Sequence, residues 1–216
     1  MIPLRDINPS RSLPLFTVLL IGTNVGLFWK YSTGDIPFEQ VILQLGYLPA
    51  EGFSLERAIT SMFMHGSWLH LLLNMWFLWV FGDNVEDALG RLGFLVLYGL
   101  SGLGALGLHG YLYAHSEVPV VGASGAISGI MGAYLVLFPR AQILAWVPPL
   151  YFTTLSSRFF LGLWFVLQVI EGLLDKWSGW RIGEAGGVAF WAHIGGFVVG
   201  WIVAQVWSGW RDRAEL

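Results

Sequence analysis

The chain is 216 residues long, 56% hydrophobic and only 12% charged, with a net charge of −3 and no cysteine. Soluble domains carry about a quarter charged residues, so this composition excludes an ordinary water-soluble globule. The acidic balance gives nucleic acid no electrostatic footing, and without thiols there are no disulfides, thiolate nucleophiles or cysteine metal sites.

Apolar runs near 20 residues recur from end to end, which marks an all-α polytopic membrane protein. The expected helices are six, at about 13–30, 67–84, 93–114, 124–138, 159–175 and 189–208, forming a single domain over 1–216. The first run, Leu13 to Trp29, follows Arg5 and Arg11 as a signal peptide would. It leads into "KYSTGDIPFEQ" with no small-x-small cleavage pattern, so it reads as a retained helix. With no Arg- and Ser-rich presequence, a prokaryotic inner membrane is the expected location. The connection 31–66 carries Pro37, Pro49 and the semi-apolar "FSLERAITSMFMH", expected to lie in the interface as short helices.

Lysine and arginine set the orientation. With the N-terminus inside, inner segments hold Arg5, Arg11, Arg91, Arg140, Arg158, Arg211 and Arg213, and outer segments hold Lys30, Arg57, Lys176 and Arg181. That balance puts both termini on the cytoplasmic side, although Asp83, Glu86 and Asp87 crowd the first inner loop. The fourth helix is short. From Ser124 to Phe138 it spans about 22 Å at 1.5 Å per residue, against a hydrocarbon core of roughly 30 Å. Ser124 therefore starts below the outer surface. The preceding "SEVPVVGA" dips in as irregular backbone, which survives there only under a cover of protein or in a wet cavity.

Polar groups inside spans are costly and usually functional, and four stand out. His70 and Asn74, in "HLLLN", share one face of the second helix, one turn apart. Ser124 opens the fourth helix in "GASG". His193 lies a turn into the sixth, in "AHIGG". Gly125 and Gly129 on the fourth helix, and Gly196 and Gly200 on the sixth, are small-xxx-small faces that let backbones meet closely. Such a seam would carry His193 to Ser124. A serine needs a base in hydrogen-bond reach to become a nucleophile, and histidine can take the proton and return it to a leaving amine. The Ser124 backbone N–H, Asn74 and His70 are candidate donors to an oxyanion. No acid lies in a span near His193, so the base would be a dyad histidine oriented by packing.

"HLLLN", "GASG" and "AHIGG", in that order on six helices, resemble the rhomboid intramembrane serine proteases over about residues 10–208. The resemblance implies Ser124 as nucleophile, His193 as base and an oxyanion hole from His70, Asn74 and the Ser124 backbone. It implies transmembrane protein substrates, a lipid setting and no metal or cofactor. His65 and His70 resemble the two histidines that end the family's first-loop segment, and Glu86 and Gly90 its second-helix end. Two positions depart from the pattern. Glu56 stands where a tryptophan usually precedes Arg57. Ser128 stands where some relatives carry an aromatic that stacks on the catalytic histidine.

Blander readings compete residue by residue. Ser124 can be a helix N-cap, His193 a helix–helix hydrogen bond and Asn74 packing glue. His65 reads as a loop histidine with a structural hydrogen bond, and His109 and His115 as solvated. Trp76, Phe77, Trp79, Phe159, Phe160, Trp164 and Phe165 read as lipid-facing bulk, or as the lining of a lateral substrate entrance. A transporter would pair its histidines with intramembrane acids or show repeated halves, and an intramembrane metalloprotease would need a motif such as H-E-x-x-H. A catalytically dead scaffold is the stronger rival, but it should have lost the serine or the histidine.

Overall fold

The computed structural model describes residues 1–149, 151–177 and 187–214. It is mostly helical: α1 (Leu15–Ser32), α2 (Phe38–Leu45), α3 (Leu55–Ser61), α4 (Trp68–Leu112), α5 (Ser124–Leu137), α6 (Ser157–Trp177) and α7 (Phe190–Ala214). Three strands, β1 (Ile2–Asp6), β2 (Gln142–Val147) and β3 (Tyr151–Ser156), form an antiparallel sheet in the order β1-β2-β3. The all-α expectation is corrected on this point. The runs "QILAWV" and "YFTTLS" are rich in β-branched and aromatic residues and too short for helices, so they pair as a hairpin that β1 extends.

Among the described residues, Trp68–Leu112, Ser157–Trp177 and Phe190–Trp210 are long and apolar enough to cross a membrane, and Ser124–Leu137 is apolar but shorter. The 45-residue α4 is about 68 Å long at 1.5 Å per residue, far more than one bilayer needs. It breaks at Gly90, whose φ of 71° is a left-handed value that glycine adopts without penalty. The two halves, 68–89 and 91–112, take the places of the second and third expected helices.

The acids of the expected inner loop are helical instead, and two of them organise α1. Pro14, at the N-cap of α1, supplies no side-chain cap. Glu86 does so from α4, accepting from the N–H groups of Phe16 (2.9 Å) and Thr17 (2.8 Å) and from the Thr17 hydroxyl (2.9 Å). A carboxylate there also meets the positive end of the helix dipole. Asp87 accepts from Ser12 Oγ at 2.6 Å.

The short helices α2 and α3 occupy the long connection, as expected, and Arg57 of α3 pairs with Glu51 at 3.2 Å. Their loops cover the irregular segment before α5. Tyr47 and Val120 exchange both backbone hydrogen bonds (3.0 and 2.8 Å). Ala50 N–H donates to the Ser116 carbonyl and Gly122 N–H to the Ser61 carbonyl. Protein groups thus satisfy the N–H groups of Val120 and Gly122 and the carbonyls of Ser116 and Val120. Helix α5 lies at the centre, buried without interruption from Gly125 to Tyr134. Arg181, counted for orientation, lies outside the described residues.

Candidate active site

Ser124 is the first residue of α5, and Ala123 holds the N-cap position without a side-chain bond. The serine therefore does not cap its helix. Its own N–H is one of the first-turn donors that have no partner within a helix, and its side chain is half-buried. Its carbonyl accepts a hydrogen bond from Ser128 Oγ at 2.7 Å. Ser128 is thus turned along its own helix.

The two glycine faces meet as the spacing requires. A methyl group placed on Gly196 would lie 1.9 Å from the Gly125 carbonyl oxygen, and one on Gly200 would lie 1.9 Å from that of Gly129. These matched pairs make α5 and α7 parallel and fix their register. A methyl on Gly125 would lie 3.8 Å from the Ala192 carbonyl. The residue after Ser124 therefore meets the residue before His193.

On α4, the His70 ring reaches the same region. A methyl on Gly122 would lie 2.8 Å from His70 Nε2 and 3.6 Å from Ser124 Oγ. Gly122 itself has a φ of 128°, open to glycine. Asn74, one turn on, is buried and donates to the His70 carbonyl at 2.9 Å. Its second amide hydrogen is still available to another acceptor. Ser124, His70 and the start of α7 thus converge, with Asn74 directly beneath His70.

The Rhomboid domain family matches residues 53–209, nearly three-quarters of the chain. This chain belongs to the rhomboid family. It is 28% identical to "Rhomboid protein 1, mitochondrial" of Saccharomyces cerevisiae over 90% of its own length and 55% of the yeast protein. It is 39% identical to the "Putative rhomboid protease YdcA" of Bacillus subtilis over 40% of its length and 44% of that protein. With "Rhomboid protease GlpG" of Haemophilus influenzae it shares 26% identity over 85% of its length and 88% of that protein. The chain spans about half the length of the first two relatives. Relatives in Saccharomyces cerevisiae, Arabidopsis thaliana and Danio rerio are named as mitochondrial, so the comparisons support a membrane and leave the expected prokaryotic location unsupported.

In this rhomboid chain α6 does more than the sequence suggested. His193 Nδ1 lies 2.6 Å from Gln168 Oε1, and Glu171, in the same expected span, is one hydrogen bond further on, so the histidine is neither oriented by packing alone nor remote from an intramembrane acid. Gln168 is buried and lies inside an expected span, so the criterion that singled out Asn74 could have found it. Trp164, one turn earlier, is not lipid-facing bulk: its ring lies 5.8 Å from that of His193 and 6.0 Å from that of Phe197. Phe160 is fully buried as well, whereas Trp79 and Phe159 are exposed as expected. His115 is exposed, but His109 is 4% exposed, stacked on Tyr113. His65 is buried edge-on against His70, with ring centroids 5.1 Å apart. An open cleft of about 530 Å³ is lined by Tyr47, Phe53, Tyr111 and His115 among others, and not by Ser124, His193, His70 or Asn74.

Proposed function

We propose that this rhomboid-family chain is an intramembrane serine endopeptidase that cleaves peptide bonds in or near transmembrane segments of other membrane proteins. Six spans, counting the two halves of α4 separately and including α1, put both termini on the inner side. The site then opens to water from the outer side. Ser124 Oγ attacks the scissile carbonyl carbon while His193 takes its proton. The tetrahedral oxyanion receives hydrogen bonds from the Ser124 N–H, His70 and Asn74. Collapse expels the amine, which takes the proton from the imidazolium, and leaves an acyl-serine. A water then reverses the sequence, with His193 again as base.

The observation that carries this reading is the α5–α7 seam. Backbone contacts at Gly125–Gly196 and Gly129–Gly200 bring the start of α5 to the turn that holds His193. A protease also agrees with the names of the Bacillus and Haemophilus relatives. The decisive experiment is labelling of the purified chain with a fluorophosphonate probe. The native chain should take label, and Ser124→Ala and His193→Ala should take none while keeping the native thermal unfolding temperature. A folded native chain that stays unlabelled would overturn the reading in favour of a binding scaffold.

A further inference from the structure

The polar groups of α6 form a chain with one direction. Glu171 is acceptor-only when ionised, and Gln168 Nε2 donates to its Oε2 at 3.3 Å. That bond turns the nitrogen side of the Gln168 amide toward Glu171 and the oxygen side toward His193. An amide oxygen has only lone pairs to offer, and it lies 2.6 Å from His193 Nδ1. At that separation the ring nitrogen must carry the hydrogen, because two facing lone pairs would repel. With Nδ1 protonated, a neutral imidazole has its free lone pair on Nε2, the nitrogen a serine hydroxyl needs. Gln168 is buried, and an apolar site makes an unpaired amide costly, so the pairing is held firmly.

The same helix also places an aromatic ring beside the imidazole. Trp164 is one turn before Gln168, and its plane is inclined 33° to that of His193. Ser128, on α5, points instead at the Ser124 carbonyl. One helix thus supplies both the hydrogen bond to the imidazole edge and an aromatic neighbour to the ring.

We propose that Gln168 is a positioning residue for His193, fixing the Nδ1–H tautomer and the ring plane, and that Glu171 sets the orientation of the Gln168 amide. This rests on the Ser124–His193 reading above. Outer partners that orient a functional histidine are typically worth about 10–100-fold.

The test uses the full chain in proteoliposomes, cleaving a reporter that carries one transmembrane segment. Gln168→Met keeps the volume and removes the acceptor. Its kcat should fall by about 10–100-fold, with KM within about twofold and the unfolding temperature nearly unchanged. The double variant Gln168→Glu/Glu171→Gln keeps an acceptor on Nδ1 and a donor–acceptor pair with position 171, and should recover most of the lost kcat. Nitrogen NMR of labelled His193 should show protonated Nδ1 in the native chain and mixed tautomers in Gln168→Met. If Gln168→Met cleaves at the native rate while Ser124→Ala is dead, this inference alone fails. A loss that the double variant does not restore, with the tautomer unchanged, also overturns it and makes Gln168 merely structural. Cleavage by Ser124→Ala would instead bring down the protease reading and this inference with it.

Discussion

Gly122 shows how little room the site leaves. Its positive φ disfavours any other residue, and a methyl there would press on the His70 ring at 2.8 Å. Gly122→Ala should therefore displace His70 and cost about 100-fold in kcat, the usual scale for losing one oxyanion donor. A steady-state assay that found the native rate would mean that His70 does no such work. At this scale the sequence was informative where residues sit in short motifs. Gly125 and Gly129, or His70 and Asn74, declare a shared face by their spacing. Gln168 and His193 are 25 positions apart on different helices, and no period links them. Only packing reveals that pair.

At the scale of elements, the seam between α5 and α7 rests on backbone meeting backbone. A methyl on Gly200 would have to occupy the position of the Gly129 carbonyl, and main chain cannot step aside as a side chain can. Overpacking typically costs about 1–3 kcal/mol, and Gly200→Ala should reach or exceed the top of that range. Gly162 on α6 has nothing within 4 Å of such a methyl. There alanine should be neutral or stabilising by up to about 1 kcal/mol, its helix-propensity advantage. Thermal unfolding of the two variants in detergent checks both. The helices themselves were legible, because apolar runs and glycine spacing are local signals. The strands were not: β1 finds its partner β2 about 140 residues further on, and a five-residue run beginning "IPLRD" announces nothing by itself.

For the molecule as a whole, the sheet ties the N-terminal strand to the helical bundle. Trp76 Nε1 donates to the Pro3 carbonyl at 2.5 Å. Asp6 Oδ2 accepts from Tyr134 (2.7 Å) on α5 and from Asn84 (2.7 Å) on α4, and Asn8 donates to Asn84 Oδ1. Burial pushes the Asp6 carboxyl up from its ordinary 3.8 to about 6. The hydrogen bond from Tyr134 opposes this, and the nearby charge of Asp83 adds to it. A carboxyl raised in the folded state contributes stability that is full below about pH 4 and lost as pH rises through about 6. The unfolding temperature should therefore rise as pH is lowered from 7.5 to 5. Asp6→Asn should raise it at pH 7.5 and flatten that dependence. An equal response in the variant and the native chain would place the titration elsewhere.

The pairing of Ile2–Asp6 with Ile143–Trp146 also bears on the order of assembly. A contact between segments so distant along the chain carries a large loop-closure cost until the intervening helices have already gathered. The strand at the front must wait for the helices between it and β2, α1 to α5, to gather, and so it acts as a late fastener. Loosening it should speed the opening of the finished molecule far more than it slows the gathering of the helices.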